Sequence, residues 1–331
     1  MIATRLTHFL GIQYPILQAG MGGVARAGLA AAVSGAGGLG VLGMIRMPPD
    51  FIRAQIRRVR ELTDRPFGVN LVPAVVTPEE FEAQVAVCVA ERVPVLSLAF
   101  ADPAPYIERA RAEGIMVLQQ VGSVAEAVRA VEAGVDVIVA QGAEAGGHLM
   151  GDAGGLALVP RVVDAVAPTP VVAAGGIVDG RGVVAALALG AEGVWVGTRF
   201  VASEESEAHP TYKQRLLVAR DGDTLRTERF SVGWPDAPHR VLRTPVAEGR
   251  ARPGEGPVAR MRIGDRVLEI PAFSPACPTT HTEGEVEAMA LYAGQGVGAI
   301  REIRPAGEIV RELVEEAERI IRARLAHLLE G

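Results

Sequence analysis

Over the first 200 residues, short apolar runs that stop at Gly, Asn or Gln alternate with Ala/Glu/Arg stretches of helical period. No other feature limits the fold as much, because a change of period from 2 to 3.6 and back marks repeated βα units. Eight runs read as strands: Pro15–Ala19, Gly38–Leu42, Phe67–Leu71, Val95–Ala99, Met116–Gln120, Asp136–Ala140, Pro170–Ala174 and Gly193–Val196. Helical patterns separate them, among others at Pro49–Thr63, Pro78–Arg92, Pro103–Glu113, Ser123–Ala133 and Gly180–Leu189, and several open with Pro or Ser as a helix start does. With no antiparallel hairpins in this stretch the sheet is expected to be parallel, and eight units is the number that closes a ring. The expected fold class is therefore α/β, a (β/α)8 TIM barrel, with an open doubly wound sheet as the competing arrangement.

The pattern changes after the eighth strand. Val201–Pro245 looks helical and then irregular, Glu248–Pro257 is a Gly/Pro/charge-rich loop, and Ala259–Ile270 alternates on both sides of Gly264-Asp265 as a hairpin does. Pro305–Glu330 then reads as one long amphipathic helix, with Ile309, Leu313, Val314, Ala317, Ile320, Ile321, Leu325 and Leu328 on one stripe. Taken as the last barrel helix, it makes residues 1–200 and 305–331 the barrel and residues 201–304 a lobe inserted over the mouth. The length of 331 residues, against roughly 250 for a plain barrel, leaves room for such an insertion.

Several function classes fall away on composition. A net charge of −6 leaves no basic footprint for nucleic acid. Lys213 is the single lysine, and no G-x-x-x-x-G-K-[ST] surrounds it, so a P-loop is excluded. Cys88 and Cys277 are too few for a disulfide framework or a zinc site, and no metal is expected. Met1–Leu17 lacks the basic-then-apolar form of a signal peptide, and no apolar run reaches the ~18 residues of a membrane span. The expected location is the cytoplasm, the expected partner a small-molecule substrate, and the expected assembly a homodimer.

Two stretches match the dinucleotide fingerprint and fail it in context. Gly35-Ala36-Gly37-Gly38-Leu39-Gly40 follows a helical pattern and precedes a strand, the reverse of the required order. Gly20-Met21-Gly22-Gly23-Val24-Ala25 does follow a strand, but no acidic residue closes the next strand before Asp50. Its glycines still let backbone approach a flat ligand closely. The stronger signal is paired: strands seven and eight end in Gly175-Gly176 and Gly197-Thr198, where a barrel commonly holds phosphate on backbone N–H groups. Asn70 and Gln141 stand where apolar strands meet the mouth, as polar groups for a ligand edge or as ordinary turn and surface residues.

Of six histidines, His8, His209, His239, His281 and His327 read as surface, cap or turn residues. His148 differs, since Gly146-Gly147-His148 directly follows strand six, where a barrel places reactive side chains. An imidazole there can exchange a proton near neutral pH.

Together, Pro15–Met21, Gly37–Gly40, Phe67–Asn70, Gln141-Gly142, Glu144–His148, Ala173–Ile177 and Gly197–Phe200 resemble the nitronate monooxygenase (formerly 2-nitropropane dioxygenase) family, which includes FMN-dependent enoyl-acyl-carrier-protein reductases. The resemblance covers about residues 10–245 and returns at Ala288–Val314, while Arg243–Ser274 departs from the family pattern. It implies a flavoprotein binding FMN through Ala19, Gly20, Met21, Asn70, Gln141 and Gly146, with Gly175, Gly176, Gly197 and Thr198 at the phosphate and His148 as catalytic acid/base. The implied activity is oxidation of alkyl nitronates with O2 to a carbonyl compound and nitrite. The alternatives are an NAD(P)H-dependent enoyl-ACP or quinone reductase using the same site, and, from another class, a non-catalytic flavin-binding module. An IMP-dehydrogenase-like enzyme is disfavoured because no cysteine follows strand six.

Overall fold

The computed structural model of the protein describes residues 2–264 and 266–329. Eight parallel strands form its centre: β1 (Ile16–Gln18), β2 (Gly40–Gly43), β3 (Phe67–Leu71), β4 (Val95–Leu98), β5 (Met116–Val121), β6 (Val137–Gln141), and, after a two-residue strand β7 (Gly147–His148) outside the barrel, β8 (Val171–Ala174) and β9 (Gly193–Val196). They are hydrogen-bonded in the order β1-β9-β8-β6-β5-β4-β3-β2. A parallel bridge between Leu17 and Leu39 joins the two ends, with Gln18 N–H donating to Leu39 O and Leu39 N–H to Ile16 O at 2.9 Å each. The sheet is a TIM barrel.

Seven of the eight barrel strands are buried along their whole length, which accounts for their near-continuous apolar sequences. Leu17, Leu39, Val41, Val95, Leu118, Val139, Val172 and Trp195 fill the interior, and Leu6 and Leu10 of the short helix α1 (Arg5–Leu10) join them from below. A separate outer layer packs the strands against α2 (Ala27–Gly35), α3 (Pro49–Leu62), α4 (Pro78–Ala90), α5 (Ala104–Ala112), α6 (Val124–Glu132), α7 (Gly155–Val166) and α8 (Gly180–Ala188). The helix starts follow from local chemistry. Thr77 caps α4 in a reciprocal capping box with Glu80, and Ser123 and Asp179 cap α6 and α8 through their side-chain oxygens.

Beyond β9 the chain makes α9 (Thr198–Val201), α10 (Pro210–Val218), and an antiparallel pair β10 (Thr224–Thr227) and β11 (His239–Leu242). The Val201–Pro245 stretch is thus more regular than its sequence suggests: β10 and β11 pair with each other, and β11 also pairs with the distant β7. The expected hairpin is present as β12 (Pro257–Ile263) and β13 (Arg266–Pro271), with β14 (Thr282–Gly284) on the other side of β12; Asp265 of its turn lies outside the described residues.

The last helix, α11 (Ala306–Ile320), returns to the barrel and buries Ile309, Leu313, Val314 and Ala317. It is shorter than the apolar stripe implies. From Ile321 the turn widens, and Ile321, Leu325 and Leu328 are exposed; Glu330, the expected end, lies outside the described residues. Among the described residues, no helix is long and apolar enough to cross a membrane.

Candidate active site

The carboxyl ends of the barrel strands and the segment beyond β9 enclose a cavity of about 640 Å³. The structure brings all eleven sequence-predicted residues to it: Ala19, Gly20 and Met21 after β1, Asn70 on β3, Gln141 on β6, Gly146 and His148 beside β7, Gly175 and Gly176 after β8, and Gly197 and Thr198 after β9. Gly20 is the tightest of them, since a Cβ there would sit 2.3 Å from Asn70 Cβ. Gly175 and Gly176 have φ of 109° and 72°, so the backbone turns left-handed in a region that side chains rarely adopt. Thr198 Oγ1 accepts from Gly294 N–H at 3.0 Å, which leaves the hydroxyl proton free to donate.

The loop carrying His148 is fastened at almost every residue. Gly142 N–H donates to Ala174 O, Arg240 donates from Nε and Nη2 to Ala143 O at 3.2 and 2.9 Å, and Gln295 N–H donates to Glu144 O. Both carboxylate oxygens of Glu144 accept from Gly155 N–H at the start of α7. His148 pairs with His239 across the antiparallel β7–β11 ladder. Gln141 completes the clamp: its Nε2 donates to His148 O at 3.0 Å and its Oε1 accepts from Met150 N–H at 2.8 Å. Most of its amide is thus spent on holding this loop. Asn70 commits its Nδ2 to Ser97 O and Oγ, which leaves its oxygen as the acceptor it can offer.

The imidazole of His148 lies against Trp234, ring centroids 3.8 Å apart and nearly parallel, and Phe100 meets Trp234 edge-on at 5.1 Å. Its Nε2 is buried without a hydrogen-bond partner. Burial, aided by the neighbouring His239 and the Arg46 guanidinium, pushes His148 down to about 3, so the ring is neutral at physiological pH. Arg46 is the nearby cation. Its hydrogen bonds go to carbonyls, Gly233 O at 2.8 Å and Val75 O at 3.3 Å, so they order the guanidinium without neutralising it.

His239 corrects the surface or turn assignment made from sequence. It is fully buried, with Nδ1 at 2.9 Å from Ala237 O and Nε2 accepting from Phe230 N–H, which defines a neutral tautomer protonated on Nδ1. Its ring lies 5.1 Å from that of His148. Sequence reasoning also missed Arg46, Phe100, Trp234 and Tyr292, which line the cavity. Lys213 is spent on Ser203 O and Glu204 O, and Cys277, held as a thiol by burial, contacts Gly22 O at 3.0 Å. His209 caps α10, as its sequence position suggests.

A family model for nitronate monooxygenase matches residues 3–316. The (3aS,4S,5R,7aS)-5-hydroxy-7a-methyl-1-oxo-octahydro-1H-indene-4-carboxyl-CoA dehydrogenase of Mycobacterium tuberculosis is 40% identical over 249 residues, covering 75% of this chain and 68% of its own. Among solved structures, FabK from Thermotoga maritima is similar at a TM-score of 0.83 and 36% identity, covering 99% of this chain and 100% of that one. The nitroalkane oxidase of Streptomyces ansochromogenes is similar at 0.79 and 31%, covering 96% and 99%. The chain is an oxidoreductase-type enzyme that belongs to the nitronate monooxygenase family.

Proposed function

We propose that this protein is an FMN-dependent nitronate monooxygenase that converts alkyl nitronates and O2 into a carbonyl compound and nitrite. The observation that carries the reading is the pairing of a half-buried, neutral His148, its buried Nε2 without a partner among the described residues, with the Arg46 guanidinium, whose hydrogen bonds go to carbonyls, in a cavity that Arg26 also lines and that is mostly apolar. Such a place favours a small anion with an alkyl body.

The residues present fit FMN. The left-handed glycines after β8 and the turn after β9 leave bare backbone on two adjacent strands for a phosphate, and the free Thr198 hydroxyl adds a donor. Ala19, Gly20 and Met21 leave a flat wall beside Asn70 for a ring system, with Gly146 and Gln141 opposite. When bound, FMN supplies the electron transfer that none of these side chains can perform. Residues 201–304 are read as the lobe that closes the site and lowers its dielectric.

His148 then steadies the nitronate rather than deprotonating a nitroalkane. An imidazole held at about 3 is a weak base toward a neutral substrate, whereas an anion placed beside it raises its proton affinity and draws a hydrogen bond from it. Arg46 adds a fixed positive charge at the same end of the cavity. In the overall change two nitronates and one O2 give two carbonyl compounds and two nitrites: in each nitronate the carbon–nitrogen bond breaks, its carbon takes one of the two oxygen atoms of O2 in a carbon–oxygen double bond, and nitrite carries the nitrogen away.

The test uses the FMN-loaded protein. Aerobic nitrite release from propyl-2-nitronate is expected, with kcat/KM falling by about 10²-fold or more in His148→Asn while flavin absorbance is retained. Absence of nitrite, together with NAD(P)H-dependent reduction of a crotonyl thioester or a quinone, overturns the monooxygenase assignment in favour of a reductase.

A further inference from the structure

The segment Arg243–Ser274 supplies one wall of the cavity through the hairpin β12–β13. The register pairs Ala259 with Ile270, Met261 with Leu268, and Ile263 with Arg266, so these six side chains share one face of the hairpin. Met261, Ile263, Leu268 and Ile270 from that face line the cavity. The strip is graded: Met261 and Ile270 are buried, and Leu268 is 44% exposed although it lines the cavity. The opposite face carries Arg260, Arg262, Val267 and Glu269, all exposed, and Glu269 also reaches the cavity lining.

We propose that this inner face is a chain-binding subsite, and that the substrate carries an unbranched alkyl chain lying along Ile270, Leu268, Met261 and Ile263. The inference rests on the reading above, in which the anionic head sits at His148 and Arg46. Those two polar groups line the same cavity as the apolar strip, which runs along the hairpin to Arg266 beside its turn. From Ile270 to Arg266 is about 13 Å at the usual strand rise, the length of a chain of about ten carbons. A propyl body leaves most of the strip uncovered. A medium-chain primary nitronate covers Leu268, whose exposed apolar surface is otherwise at odds with its place inside the cavity.

Alkyl carboxylates from butyrate to decanoate are planar-headed anions that test the chain separately from the chemistry. Trp195 and Trp234, the two tryptophans of the chain, both line the cavity, so intrinsic fluorescence of the FMN-loaded protein reports their binding. Affinity is expected to rise about fourfold per buried methylene and to level off near ten carbons. The same ladder is expected in kcat/KM for primary alkyl nitronates. Leu268→Asp, at an exposed position that tolerates a polar side chain, flattens both ladders. Val267→Asp, on the outer face and 53% exposed, leaves them as they are. Equal dissociation constants for butyrate and decanoate, or a ladder that persists in Leu268→Asp, overturn the proposal. A carboxylate ladder without nitrite from any nitronate keeps the subsite and discards the monooxygenase reading.

Discussion

His148 holds its ring between Trp234, His239 and Tyr292, and the cost of that packing is written in its protonation. In the unfolded chain the imidazole binds a proton below about 6.5, whereas the folded protein refuses it until about 3. The unfolded state therefore binds one more proton across this window, and stability falls as pH drops from about 6.5 toward 3, with no contribution from His148 above 6.5. His239, also shifted downward by burial, acts in the same direction. His148→Asn should flatten the decline by about 1.4 kcal/mol per pH unit in that window, measured by urea unfolding at several pH values; parallel curves for the two proteins would refute the shift. The place of His148 and the cavity glycines at the barrel mouth was legible in the sequence because each follows a strand end, which local punctuation marks. His239 was not, since nothing near it announces which strand it pairs with.

That pairing belongs to the scale of elements. β7 is two residues long and has no strength of its own; β11 and the side chain of Arg240 hold it in place. Arg240→Met keeps the side-chain bulk but strips the half-buried Ala143 O of both donors, and losing such charge-assisted hydrogen bonds costs about 1–3 kcal/mol. The loosening should appear as about 10-fold to 100-fold faster amide exchange over residues 143–150, with the barrel strands unchanged. Unchanged protection there would show that Gln141 and Glu144 alone secure the loop. Element edges were read from sequence to within a residue or two, because buried strands and capped helices carry their own boundaries. The two larger misses are of another kind. Periodicity past Ile320 promised a regular helix where the apolar side chains turn out to be exposed, and the short β10 and β11 pair with each other and with a β7 that is distant in sequence.

At the scale of the whole molecule, the sequence carried no sign of how firmly the segment after β9 is joined to the barrel. The joint is a shared core: Met21, Val24 and Val178 from barrel loops pack with Tyr212, Leu216, Leu291, Val297 and Ile300. Arg46 reaches across to Gly233 O, and Phe100 packs edge-on against Trp234. Clusters of this kind leave neither part able to open without exposing the apolar surface of the other, so one cooperative transition is expected. In Trp195→Phe the remaining tryptophan, Trp234, reports on the inserted segment, while far-UV circular dichroism is dominated by the barrel helices. The two denaturation curves should coincide, and FMN at 100 times its dissociation constant should move both by the same amount, about 2.7 kcal/mol. Two separated midpoints, or a fluorescence transition that FMN leaves in place, would mean that the inserted segment folds apart from the barrel and that the wall it contributes to the cavity is assembled only afterwards.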